Sequence, residues 1–312
     1  MSRPTSPTLV VGPAERPGAP VVRSTGRRWL SRIAGGIARF AQLSPAGAFS
    51  AILLLIVVLV GVFAPVLAPY DPLAGNYAIT RHAPFAGHWL GTDDLGRDVL
   101  SRIIYGTRIT MLVSVTSVLL GDAIAFGWGV ASGYLGGRVD LISQRIIEVM
   151  MSFPTLILAM LLLISLGAGI RTVIVAIAVT QVPGCTRIVR STALSIRGFA
   201  YVEAARCMGA SPLRIMFREV APQCVAPFLV ILTLNLGGAI FAEAALSFLG
   251  VGVPPPAPSW GNMLGGVLAT AFRPQWWLVV FPGVAITLAV MSANLLGDAL
   301  RDYLDPRIKR QG

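Results

Sequence analysis

Long apolar runs, separated by polar segments that carry arginine, dominate the chain. Each run is long enough to cross about 30 Å of hydrocarbon as a helix. The runs predict six membrane spans, at about 47–69, 108–134, 148–167, 172–190, 224–248 and 277–297. Pro154 is expected to kink the third span or to begin its regular part. The pattern therefore predicts an all-α polytopic membrane protein.

The connection before the second span predicts a further helix. Thr92 or Asp93 is placed to cap it, and Leu95, Val99 and Ile103 recur at helical spacing. We expect this helix to lie at the membrane interface and to lead into the span.

Other segments are predicted to be irregular or to lie on the membrane surface. Residues 249–274 are rich in Gly and Pro and are expected to form a loop. Residues 1–28 carry five prolines and no repeating apolar face, which is typical of a disordered tail. Residues 27–39 are basic with apolar residues between, as in a stretch that lies on a membrane surface.

A polar insert, Tyr201–Pro222, separates the fourth and fifth spans, and we call it the elbow. The residues before Gly209 favour a helix, which Gly209 can end in a left-handed conformation. Ser211 can then cap a second helix, with Pro212 at its first position, where the missing N–H costs nothing. Pro222 is expected to close the unit.

These elements suggest a division of the chain into four parts. A basic tail with its amphipathic segment occupies residues 1–45, and the first span with its extracytoplasmic loop occupies 46–105. A core of five spans that contains the elbow is predicted for 106–307, followed by a short tail at 308–312.

Composition and charge support a membrane protein and give its orientation. Only 12% of the 312 residues are charged, whereas soluble domains carry about 25%. The net charge of +11 comes from arginines beside the apolar runs, which indicates topology rather than nucleic-acid binding. With the N-terminus inside, 19 of the 25 basic residues lie in the cytoplasm. Both termini and the elbow are therefore predicted to be cytoplasmic.

The sequence contains no recognisable catalytic or metal-binding constellation. Cys185, Cys207 and Cys224 form no CxxC or CxxH motif, and we expect free thiols. His82 and His88 lie in one loop at a spacing that does not place two ligands on one helix face. The chain has no GxxxxGK[ST] motif, so we expect no ATP hydrolysis by this chain alone.

A few charged residues are candidates for contacts with a solute or a partner. Asp122 and Glu243 lie within predicted spans, where charged side chains usually face a bundle interior or a wet cavity. They are candidates for lining a translocation path, and the alternative is a structural hydrogen bond between helices. Arg97 and Asp98 lie outside, where they contact a binding protein or pair with each other.

The elbow resembles the EAA motif of binding-protein-dependent ABC importer permeases. Glu203-Ala204-Ala205, Gly209 and Pro222 match that motif, although Glu219-Val-Ala-Pro222 departs from its usual Ile-x-Leu-Pro ending. Leu90–Arg102 resembles the signature before the second span in the second permease subunit of dipeptide, oligopeptide and nickel importers. The C-terminal half of that subunit is similar to Leu246–Met263 and Asn294–Pro306. The resemblance covers about residues 45–307.

The resemblance implies a type I importer permease with a MetI-like fold and a cytoplasmic coupling helix, in a bacterial inner membrane. Its expected partners are a homologous second permease, two ABC ATPase subunits, an extracytoplasmic binding protein and lipid, but no nucleic acid. ATP and Mg²⁺ would bind to the ATPases, so this chain would need no cofactor and would not be an enzyme. The elbow residues implied in coupling are Glu203, Ala204, Ala205, Gly209, Ser211, Pro212, Arg218 and Pro222.

Two other classes of protein fit the sequence less well. A proton- or ion-driven secondary transporter often carries inverted repeats and broken helices in both halves, and no convincing repeat is present. An intramembrane enzyme would need a Ser/His pair or paired carboxylates within the spans, and none is seen.

Overall fold

The computed structural model describes residues 40–270 and 275–304, and this part of the chain is built from helices. The predicted all-α class is therefore confirmed. Short 3₁₀ and π-helical turns lie at Tyr77–Ile79 and Met216–Val220. Residues 1–39 of the predicted N-terminal part, which include the segment 27–39, and the predicted tail at 308–312 fall outside the described residues. The α-helices are α1 (Pro45–Val62), α2 (Ala64–Leu67), α3 (Val99–Leu135), α4 (Gly137–Met151), α5 (Thr155–Leu166), α6 (Ile170–Arg197), α7 (Ala200–Cys207), α8 (Pro212–Ile215), α9 (Ala221–Phe248), α10 (Trp260–Thr270) and α11 (Trp276–Leu304).

Five helical stretches of the described residues are long and apolar enough to cross a membrane, namely α1, α3, α6, the run Pro212–Phe248 and α11. The predicted third span is instead a bent pair, because α4 and α5 meet at 89°. Pro154 lies at the bend as the N-cap residue directly before α5, in agreement with the prediction. With 12 residues, α5 rises about 18 Å, which is too short to cross alone. The described residues thus contain five helices that can span a membrane, or six spans if the bent pair crosses as one.

Helices α3 and α6 approach each other closely because glycines line the seam. Gly121, Gly129 and Gly133 lie on one face of α3 and are all buried. A Cβ at Gly121 would lie 2.4 Å from the carbonyl oxygen of Ala178, and one at Gly133 would lie 2.6 Å from that of Arg190. Small residues at such a seam let two backbones pack closely, which is how membrane helices associate without a hydrophobic driving force.

The start of α3 differs from the prediction. Asp98 caps this helix by accepting a hydrogen bond from the Ser101 N–H at 2.7 Å, so the assignment of the cap to Thr92 or Asp93 is wrong. The Asp93 carboxylate instead accepts bonds from the backbone N–H groups of Leu95 and Arg97, which holds these residues in a turn. From Val99 the helix runs for 37 residues, so no separate interfacial helix precedes the span.

The region expected to be a loop at 249–274 contains α10. The Ser259 hydroxyl accepts a bond from the Asn262 N–H at 3.2 Å, which satisfies a backbone donor in the first turn. The indole N–H of Trp260 donates to the Ile103 carbonyl at 3.1 Å, so α10 is fastened to the first turns of α3. The prediction of an irregular loop is wrong for residues 260–270.

The two ends of the bundle are structurally distinct. Arg206 of the elbow lies over the ring of Tyr134, near the last residue of α3, and we call this end the elbow end. The first residues of α3, together with α10, lie at the opposite, loop end.

Candidate functional site

The sharp turn of the elbow is set by its own backbone. Helix α7 ends in a Schellman motif, in which the Ala210 N–H donates to the Ala205 carbonyl and the Gly209 N–H donates to that of Arg206. Gly209 has φ +79°, the left-handed conformation that only glycine adopts at little cost. A Cβ there would meet nothing within 4 Å, so the backbone angle and not space requires glycine.

The second half of the elbow continues directly into a long helix. The Ser211 hydroxyl accepts a bond from the Arg214 N–H at 3.4 Å, and Pro212 is the first residue of α8, as predicted. The helix then runs without a break through the π-helical turn and α9 to Phe248. Pro222 therefore lies within the first turn of α9, and the prediction that it closes the unit is wrong.

One face of the elbow is packed into the bundle. Val202, Ala205 and Ile215 are buried in a cluster that includes Val189 of α6. The Arg206 guanidinium lies 5.4 Å from the centre of the buried Tyr134 ring, a cation–π contact. These contacts join the elbow to both α3 and α6.

The opposite face of the elbow is apolar and exposed. The exposed fraction is 81% for Met208, 64% for Leu213 and 66% for Phe217. Leu213 and Phe217 line a shallow groove with Arg214 and Arg218. Exposed apolar side chains rimmed by arginines are typical of a surface that binds another protein.

The remaining coupling candidates lie on or beside this surface. Glu203 is exposed and forms no ion pair within the described part of the chain. Ala204 is exposed, whereas Ala205 packs inward. Ser211, Pro212, Arg218 and Pro222 are all exposed.

The two candidates for lining a path are fully buried in the packing of this chain. Asp122 accepts a bond from the Asn235 amide at 2.8 Å, which joins α3 to α9. Glu243 accepts bonds at 2.8 Å from the hydroxyls of Thr110 and Ser247. This geometry favours the alternative of hydrogen bonds between helices. Their role in a translocation path stays a prediction.

The two candidates for binding-protein contact lie at the loop end, each with a partner. The Arg97 guanidinium contacts the Asp93 carboxylate at 2.7 Å, and Asp98 contacts the imidazole of His88 at 2.9 Å. Arg97 and Asp98 therefore do not pair with each other. All three cysteines are free thiols, and only Cys207 is exposed.

Sequence reasoning missed the residues that give the elbow its two faces. Leu213 and Phe217 were not singled out, although their spacing of four places them on one helix face. The stacking of Arg206 on Tyr134 joins residues that are distant in sequence, and no local pattern predicts it.

Comparison with known proteins gives concordant matches. The sequence profile described as "Binding-protein-dependent transport system inner membrane component" matches residues 123–310. The chain is 40% identical to the dipeptide transport system permease protein DppC of Bacillus subtilis, over 86% of this chain and 83% of that protein. It is also 40% identical to the glutathione transport system permease protein GsiD of Pectobacterium atrosepticum, over 82% and 85%.

A solved structure supports the fold. The chain superimposes on a structure of the MetNI methionine ABC transporter in an inward-facing conformation with a TM-score of 0.56. The match covers 66% of this chain and 97% of that chain at 19% identity. At this low identity the match supports the fold alone.

Proposed function

The chain belongs to the family of binding-protein-dependent transport system inner membrane components, and from this we propose that it is a permease subunit of an ATP-driven importer of peptides or related solutes. Related permeases belong to dipeptide and glutathione transport systems, which supports a solute with amide bonds and a free carboxylate. The chain is a multi-pass membrane protein. No observation favours the alternative of a proton- or ion-driven secondary transporter.

The observation that carries the proposal is the two-faced elbow. Its inner face is packed against α3 and α6, and its outer face exposes Leu213 and Phe217 between arginines. A rigid insert of this kind can receive the movement of a bound ATPase and pass it to the bundle. Exposed Glu203, Arg218 and the turn at Gly209 would position that contact.

The assembly that follows has this chain as one half of the membrane part. A homologous permease would form the other half, with two ATPase subunits at the elbow end and a binding protein at the loop end near Arg97 and Asp98. Both termini would then be cytoplasmic. ATP and Mg²⁺ would bind to the ATPases, so this chain would contribute no catalytic residue and hold no cofactor.

Charge substitutions on the outer face test the proposal. We expect Leu213→Glu and Phe217→Glu to lower the amount of ATPase that co-purifies with the membrane subunits by at least about tenfold, equivalent to about 1.4 kcal/mol. Membrane insertion should be unchanged, because both side chains point away from the packed cluster.

The matched control is Tyr77→Glu, which changes an aromatic residue at the loop end that is at least as exposed. It should leave the ATPase bound. Undiminished ATPase recovery with both elbow variants, or no ATPase and no second permease with the parent chain, would contradict the proposal.

A further inference from the structure

Helices α9 and α11 pack along a seam that leaves an open groove on one side. The seam is close at Gly237, where a Cβ would lie 2.3 Å from the Asn294 side-chain oxygen. It is close again at Gly297, where a Cβ would lie 2.7 Å from Leu234. Two cavities of 450 Å³ and 520 Å³ follow one another beside this seam, the second of them at the elbow end.

Both cavities lie along the same face of α9 and along the same face of α11. Along α11 their lining includes Thr287, Met291, Asn294 and Arg301, at successive spacings of four, three and seven. Residues with these spacings lie on one side of a helix. Asp298 falls on the same stripe and is also exposed, so Asp298 and Arg301 place two charges beside an otherwise apolar lining at the elbow end.

Asn294 is the residue of this stripe that indicates what the groove faces. It lies about 6 Å along the axis from the midpoint of α11, well inside the hydrocarbon thickness of a membrane. Its side chain is exposed, and its amide has no hydrogen-bond partner within the described part of the chain. An amide facing lipid without a partner costs several kcal/mol, so this face is expected to meet water or polar groups instead.

We propose that this groove is a polar lane of the translocation path and that Thr287, Asn294, Asp298 and Arg301 contact the solute as it moves. The inference rests on the proposed function and adds the residues that the solute meets. In this proposal the solute meets neutral polar side chains at the middle of the membrane. The charged residues Asp122 and Glu243 are not available to it, because they are buried in the helix packing.

The chemistry of the lane fits a short peptide. The Asn294 amide and the Thr287 hydroxyl can each donate and accept hydrogen bonds, as a peptide bond requires. Asp298 and Arg301 offer opposite charges to the amino and carboxylate ends where the groove reaches the elbow end. Phe241 and Met291 supply apolar walls that tolerate different side chains.

Cysteine accessibility in the assembled transporter tests the lane. The variant Asn294→Cys, in a chain that also carries Cys207→Ser, is treated with the charged, impermeant reagent methanethiosulfonate ethylsulfonate. Cys185 and Cys224 are buried and should stay silent. The matched control is Leu288→Cys, which is also exposed on α11 but lies about 120° around the helix from Asn294.

We expect Asn294→Cys to react at least about tenfold faster than Leu288→Cys in the nucleotide-free complex, because only a thiol in contact with water ionises readily. The rate should change when ATP and vanadate hold the ATPases closed. Equally slow reaction at both positions would overturn the lane, since lipid or a partner helix would then cover the groove.

Failure of the lane can be told from failure of the proposed function. A complex that retains its ATPases and second permease and hydrolyses ATP, but in which Asn294→Cys is unreactive, overturns the lane alone. A chain that recovers neither ATPases nor a second permease overturns both.

Discussion

At the scale of single residues, the elbow depends on the left-handed conformation of Gly209. We expect Gly209→Ala to destabilise the turn by about 1–2 kcal/mol, because a Cβ is strained at φ +79°. Gly209→Asn should cost less, since Asn tolerates this conformation. The measurements are the thermal midpoint of the purified complex and its solute-stimulated ATPase activity. Identical behaviour of the Ala and Asn variants would show that the backbone angle does not control coupling.

Glu243 is a second residue whose role can be decided by substitution. Glu243→Ala leaves the buried hydroxyls of Thr110 and Ser247 without their acceptor, and we expect a loss of about 1–3 kcal/mol in unfolding free energy. Glu243→Gln keeps an acceptor and should lose less. Thermal unfolding of the purified complex gives the comparison. Unchanged stability with lost import would instead favour the prediction that Glu243 lines the path.

At the scale of elements, the contact between α3 and α6 is the most sensitive to added volume. We expect Gly121→Ala to destabilise the bundle by about 1–3 kcal/mol, because the new methyl group meets the Ala178 carbonyl. Gly127→Ala on the same helix meets nothing within 4 Å and should stay within about 1 kcal/mol of the parent. Denaturation of both variants in detergent tests this difference, and equal losses would contradict it.

The sequence predicted the helices best where one local signal determined the structure. Long apolar runs located the spans, and Pro154 located the bend before α5. The start of α3 was missed because Asp93 uses its carboxylate in a preceding turn. Helix α10 was missed because its packing through Trp260 overrides a Gly- and Pro-rich composition.

The elbow, too, was predicted correctly only where a local signal determines the structure. Gly209, Ser211 and Pro212 act as predicted, because caps and turns are encoded locally. Pro222 does not end the helix, because the preceding π-helical turn lets the Ala221 N–H reach the Met216 carbonyl and carries the chain past it. Asp122 and Glu243 were chosen by charge alone, and a sequence does not say which face of a helix is covered.

At the scale of the whole molecule, the native cysteines offer a test of orientation. Cys207 on the elbow is the one exposed thiol among the three, since Cys185 and Cys224 are buried. An impermeant maleimide should label the chain in inside-out membrane vesicles that lack the ATPases and leave right-side-out vesicles unlabelled. Cys207→Ser should abolish the label. Labelling from the outside would contradict a cytoplasmic elbow and cytoplasmic termini.

The elbow separates the residues that hold its shape from those that it presents. Backbone bonds at Gly209 and the buried side of α7 and α8 fix the turn, while Met208, Leu213 and Phe217 take no part in the packed cluster. The exposed side chains can therefore change without altering the fold of the elbow. If the exposed side binds the ATPase as proposed, cells with several such importers would keep their subunits from mixing by varying it. Grafting these few positions onto another permease would then redirect that permease to a different ATPase.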